Sequence, residues 1–309
     1  MAKSIYQRVT ETLLAQIDGA NPEEWACPWH RTGGLPKNGK TGANYRGINI
    51  LGLWCAARRF GFTDARWATY RQWQALGAQV RRGEKGSFIH FFRDADNSKD
   101  RAESRYQAAQ THRRYIMRTS VVFNADQVDG RTREPSPSPP VTLSTDTFDE
   151  FMTATGAALR FGGNEAFYCP VRDEIHLPPL NCFKTPEGYT ATVGHELLHW
   201  TGAKSRLSRD LSARYGELGY AAEELVAEIG SALLLAGLGL ANTPHPNHAR
   251  YVASWLPLLQ KDPRAIFTAA TQASRATDWL FDITSQRTGV SAIASRSQPD
   301  EQSIDESLT

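Results

Sequence analysis

The sequence predicts an α+β protein of two domains. The first is basic and strand-rich with flanking helices; the second is mainly helical with a small β-sheet or hairpin. Three observations lead there. The net charge of +2 hides opposite halves, with 22 Lys and Arg against 13 Asp and Glu through Glu134, and 13 against 20 beyond it. Strand patterns recur up to Asn124, whereas helical periodicity dominates after Thr185. Between them Glu134 to Pro140 reads EPSPSPP, which suits neither a helix nor a sheet interior. The expected domains are 1–133 and 145–290, joined by a linker at 134–144 and followed by an acidic, disordered tail at 291–309.

With 309 residues, 40% hydrophobic and 22% charged, the chain has a globular composition. It has no 18-residue apolar run, and Met-Ala-Lys-Ser-Ile-Tyr-Gln does not open like a secretory leader. A cytoplasmic protein without a membrane partner is therefore expected. The four cysteines are scattered without a CxxC pair, which argues against a disulfide framework and a cysteine-rich zinc module.

In the basic half, Val9, Leu13 and Ile17 mark an opening helical face, and a Pro/Gly-rich loop with Trp25, Trp29 and His30 follows. Residues 35–49, LPKNGKTGANYRGIN, set Lys37, Lys40 and Arg46 among glycines and asparagines with Tyr45 alongside. Glycines let backbone N–H groups approach phosphates, cations neutralise them, and a tyrosine offers a base a stacking surface. A solvated turn would have the same composition.

Ile50 to Phe60 reads as a helix. Residues 67–93 then mix Trp67, Tyr70 and Trp73 with Arg71, Arg81, Arg82 and Lys85, a combination suited to single-stranded nucleic acid. Each aromatic taken singly is more readily a core residue. Val80–Arg82 and Ser87–Phe92, around Gly83 and Gly86, read as strand, turn, strand. Residues 94–114 read as an exposed charged excursion, and Tyr115 to Asn124 as a strand.

The acidic half opens with a helix over 146–158. A hairpin over 165–178, turning at Arg172-Asp173, supplies an edge along which an extended peptide can pair. The segment Thr185 to Thr201 contains His195-Glu196-Leu197-Leu198-His199. Thr185 is a cap, Pro186 suits the first helical position, and Gly202 stops the helix. Residues four apart share a helix face, so His195 and His199 can aim two imidazole nitrogens at one metal ion. Glu196 is placed to take a proton from water polarised there. Gly219 to Leu240 reads as a buried helix that nevertheless carries Glu224 and Glu228 on one face, and such carboxylates need a partner. Glu224 is preferred as third ligand. Glu228 is the alternative, or else holds a ligand histidine, and Glu223 is expected in solvent. Tyr189 or His176 is a candidate to steady an oxyanion, and helices over 251–259 and 264–280 close the chain.

GHELLHWTG (194–202) with Arg206-Leu207, and YAAEELVAEIGSALL (220–234), resemble the zincin-like metallopeptidase domain of ArdC-type antirestriction proteins. KNGKTGANYRGIN (37–49) and WATYRQWQALGAQVRRGEKG (67–86) resemble that family's single-stranded-DNA-binding domain, and together the likeness spans about residues 5–285 in order. The resemblance implies a plasmid-borne protein that shields incoming conjugative DNA from restriction, and a DNA-binding domain also found fused to plasmid primases. It implies zinc, or manganese or another divalent metal, at His195, His199 and Glu224, with Glu196 as general base. Expected partners are single-stranded DNA and a protein or peptide, such as a restriction-system subunit. The rival expectation is a non-catalytic DNA-coating protein whose metal is structural; a metal-dependent nuclease is disfavoured because clustered aspartates are missing.

Overall fold

A computed structural model describes residues 5–14, 34–94, 115–130, 145–240 and 248–288. The proposed linker, the acidic tail, the Trp25–His30 loop, Ile17, His245 and residues 95–114 lie outside the described residues. The N-terminal half comprises α1 (Ile5–Leu14), β1 (Lys37–Asn38), α2 (Ile48–Phe60), β2 (Arg66–Ala68), α3 (Tyr70–Ala75), β3 (Gln79–Val80), β4 (Ser87–Asp94), β5 (Tyr115–Asn124) and β6 (Val128–Asp129). The C-terminal half comprises α4 (Thr145–Thr155), β7 (Ala158–Phe161), β8 (Phe167–Cys169), β9 (Glu174–Leu177), α5 (Pro186–Thr201), α6 (Ser212–Tyr215), α7 (Gly219–Gly237), α8 (His248–Lys261) and α9 (Ala265–Thr288).

The first sheet has the order β1-β2-β5-β4, with β1 parallel to β2 and the other pairs antiparallel. Alternation along the strands sends Trp67, Ile89 and Val122 inward onto α2, and Ala68 and Phe123 to the opposite face beneath α3. The expected hairpin of 80–82 with 87–92 does not form. Val80 instead pairs with Val128 of β6, while β4 pairs with β5. Val80 is buried in the small core with Trp73, Ala125 and Val128, and Arg81 N donates to Gln127 O, so this strand is drawn away from β4.

The second sheet has the order β7-β9-β8. Its β8–β9 hairpin matches expectation, turning through Asp173 in the left-handed region at φ 56°. β7 was unexpected: the helix predicted to reach Ala158 stops at Gly156, whose φ of 74° breaks it, and the chain continues as a strand parallel to β9.

Both halves share apolar packing. One core joins α2 and the inner face of the first sheet to α7, α8 and α9; another joins α4, β9 and α5 to α7 and α9. α7 serves both, which accounts for its nearly unbroken apolar composition. It lies close against α5. A Cβ at Gly230 would fall 2.5 Å from Leu198 Cδ1, and one at Gly194 2.9 Å from Ser231 Oγ, so the two glycines permit the approach that brings the histidines to the glutamates. Among the described residues, no helix is long and apolar enough to cross a membrane.

Candidate metal centre and nucleic-acid interface

α5 forms as its sequence requires, with Thr185 Oγ accepting Gly188 N–H at 3.0 Å and Pro186 in the first turn. His195 and His199 then present their Nε2 atoms 3.2 Å apart. Glu224 of α7 completes the cluster, with Oε2 3.3 Å from His195 Nε2 and Oε1 3.6 Å from His199 Nε2. Donors at about 2.0–2.1 Å from a tetrahedral centre stand roughly 3.3 Å apart, so these separations are those of ligand edges. The donor set fits a divalent metal.

The far ring nitrogens are held by two further carboxylates. Glu228 Oε2 stands 3.6 Å from His195 Nδ1, and Glu223 Oε1 3.3 Å from His199 Nδ1. Glu223, expected in solvent, is half-buried in a bidentate ion pair with Arg209 at 2.8 and 2.5 Å. The Arg209 side chain is only 1% exposed, and it also donates to Leu198 O and Thr201 Oγ at the end of α5. Within the solvated-looking run Ser205 to Ser212, nothing in sequence marks Arg209 for this place.

Burial alone would depress both histidine pKa values. Glu224 and Glu228 outweigh it at His195, and Glu223 and Glu224 at His199, so both are raised, His199 to about 10. Against the effect of its own burial, Glu224 is held well below the usual carboxylate range by the two imidazoles. The cluster is an anionic pocket in the core that calls for positive charge.

Glu196 is also buried, and its Oε2 accepts the backbone N–H of Tyr168 on edge strand β8 at 2.9 Å. Tyr168 is fastened in turn: its hydroxyl donates to Asp173 at 2.8 Å and accepts from Arg206, whose guanidinium lies 3.9 Å over the Trp200 ring. The edge strand is thus pinned above the helix bearing His195 and His199. The two oxyanion candidates have other partners. Tyr189 donates to Asp149 of α4 and packs against Phe148 and Phe183. Ile175 and Leu177 take the buried face of β9, so His176 occupies the other face, stacked on Phe167.

The two basic segments of the N-terminal half come together. Asn38 Nδ2 donates to Gln72 of α3 at 3.3 Å, and Gly39 sits directly on the Trp73 ring, where a Cβ would be 2.8 Å from it. Lys40, Arg71, Arg82 and Lys85 are exposed, and Lys37 is half-buried in β1. Other expected contacts are corrected. Tyr45 is 8% exposed and donates to Trp67 O, because its ring completes the main core; burial pushes its phenol up to about 12, and it offers no stacking surface. Arg46 is not among these corrections: it stays exposed while pairing with Asp278 of α9. Arg81 is tied to Glu84, Asp129 and the Asp126 carbonyl. Trp67 and Trp73 are core, while Tyr70 is partly exposed.

Residues 146–272 match the family described as zincin-like metallopeptidase, and residues 3–123 match the N-terminal domain of anti-restriction factor ArdC. Together with the helix-borne donor cluster, these matches define a two-domain protein with a zincin-like C-terminal domain. The metal-free crystal structure of antirestriction ArdC protein from the R388 plasmid superposes with a TM-score of 0.77 at 38% identity, covering 92% of this chain and 99% of that one. Its Mn(II)-bound counterpart gives 0.72 over 91% and 98%. The chain belongs to the ArdC antirestriction family. It is also 42% identical to the uncharacterized protein y4eC of Sinorhizobium fredii, over 89% of this chain and 91% of that one. It is 38% identical to a DNA primase TraC of Escherichia coli, over 90% of this chain but only 27% of the primase.

Proposed function

We propose that the chain is an antirestriction protein that binds single-stranded DNA with little sequence preference and carries a metal-dependent peptidase centre. The observation that carries the reading is the convergence of His195, His199 and Glu224 at ligand-edge distances, with Glu196 next to them on α5. Zinc is the preferred ion, because two imidazoles and one carboxylate leave a fourth tetrahedral position open; manganese, bound in the R388 ArdC structure, is the alternative. The ion, when bound, polarises a carbonyl and acidifies water.

The chain's own residues do the rest. His195 and His199 are held in register by Glu228 and Glu223, and an extended peptide can pair along the edge of β8. Glu196 accepts the proton of the attacking water and delivers it to the leaving amine. The Tyr168 N–H now occupying Glu196 must yield as substrate arrives. In the other half, Lys40, Arg71, Arg82 and Lys85 neutralise phosphates, so affinity depends strongly on salt.

The Tyr168–Glu196 hydrogen bond also supports a second reading, a DNA-coating protein whose metal is structural, since it gives Glu196 a part in pinning the edge strand that needs no chemistry. One experiment separates the two. Wild type and Glu196→Gln are incubated with restriction-system subunits, with and without single-stranded DNA and chelator, and examined by intact-mass spectrometry. Chelator-sensitive cleavage by wild type alone supports the peptidase. Antirestriction that survives in a metal-loaded Glu196→Gln variant assigns protection to coating.

A further inference from the structure

The outer face of the N-terminal sheet is only partly covered. At the β2 end, Ala68 and Phe123 lie beneath α3 and the β3–β6 ribbon. Toward β4 the cover is broken, although His90 on the same face is buried. There Phe88, 64% exposed, stands directly opposite Val121, 41% exposed, in the β4–β5 ladder. A directly opposed pair has Cβ atoms roughly 4.5–5.5 Å apart, so the two side chains make one continuous apolar surface. Gly86 helps to shape it: a Cβ there would fall 2.2 Å from Val121 Cγ1, so only glycine lets Val121 lie flat beside Phe88.

Cations flank this pair on the side of the turn entering β4. The turn entering β4 exposes Arg82 and Lys85, and α3 on the same face exposes Tyr70 and Arg71. The neighbouring carboxylate Glu84 is engaged with Arg81 and Gln127. A bare phenyl ring on a rigid ladder, bordered by exposed cations, matches a base between phosphates. A protein partner would more readily face mixed charge around an apolar pair.

We propose that Phe88, extended by Val121, is a stacking platform for an unpaired nucleobase, with Arg82 and Lys85 taking the adjoining phosphates. This rests on the single-stranded-DNA reading above. Of the aromatics interleaved with the cations in sequence, Trp67, Trp73 and Tyr45 are buried and Tyr70 is 43% exposed with its hydroxyl bonded to Gln79, so Phe88, at 64%, is the barer ring on this face and is one that the sequence pattern leaves unmarked.

The test is a thermodynamic cycle on the full chain by fluorescence anisotropy. It uses labelled oligo(dT) and an abasic tetrahydrofuran oligomer of equal length at fixed salt. Phe88→Ala is expected to weaken oligo(dT) binding roughly 5- to 100-fold, to change binding of the abasic strand much less, and to be rescued by Phe88→Trp. If wild type bound neither strand, the DNA reading itself would fail. If wild type bound oligo(dT) and Phe88→Ala bound it equally well, the platform would be refuted while that reading stood. Equal losses on both strands would also overturn it, because they would show that Phe88 acts through the fold and not on bases.

Discussion

The metal centre and the basic face differ in what surrounds their charges. At the centre, three buried carboxylates, a fourth that is half-buried and two imidazoles sit between α5 and α7, each held by a neighbouring group. On the basic face Lys40, Arg71, Arg82 and Lys85 stand in water on a frame held by Trp73 and Phe123. Buried charges must satisfy one another, so the loss of one strands the rest. Exposed cations act through a screened field and substitute for one another in part. Single changes are therefore expected to be severe at the centre and graded on the face.

The sharpest break of this contrast is His195→Ala. It is expected to reduce metal affinity by well over the roughly 100-fold that loss of an outer partner can cause, as measured by equilibrium dialysis, and to leave DNA affinity unchanged. A large loss of DNA binding in that variant would show that the two sites are not separable.

Next in size is Gly230→Ala, which drives a methyl into Leu198. It is expected to destabilise the chain by about 1–3 kcal/mol in denaturant unfolding and to weaken metal binding with it, since it spreads α5 from α7. Glu223→Gln leaves Arg209 half-paired and His199 without its charged acceptor, and should lower metal affinity roughly 10- to 100-fold by chelator competition.

pH distinguishes the centre from the face again. The folded-state pKa of His199 is raised from 6.5 to about 10, because Glu223 and Glu224 outweigh burial. In chelated protein its stabilising effect is therefore complete below about pH 6.5 and is lost as pH rises toward 10, so the melting temperature of chelated protein should fall across that window. Metal-loaded protein needs the neutral imidazole and should keep its melting temperature as pH rises there. A chelated protein whose stability rose from pH 7 to 9 would contradict the assigned cluster.

The smallest effects belong to the face. Removing Lys40 and Arg71 together should lessen the salt dependence of oligo(dT) affinity by about one unit of slope for each phosphate no longer neutralised. Tyr45→Phe should leave DNA affinity alone and lower stability by about 1 kcal/mol through its missing hydrogen bond to Trp67.

Spacing along one helix and composition were enough to place the first parts of the metal centre. The four-residue interval carries His195 and His199 to one point, and Thr185 with Pro186 starts their helix where expected. The near-absence of polar residues around Glu224 and Glu228 placed α7 in the core. The charge asymmetry marked the basic half.

What depends on residues distant in sequence was settled by tertiary packing. Glu223 reads as a solvated neighbour until Arg209 and His199 arrive on either side of it. β3 and β4 read as a hairpin until Val128 competes for Val80. Tyr45 reads as a stacking aromatic until the core that also takes in Trp67 closes over it, while Phe88, in a strand of alternating character, is left outside because α3 covers only one end of its sheet. Helical periodicity is a property of the backbone and survives in the sequence. Burial of an aromatic ring depends on which distant surface reaches it first, and no local pattern records that.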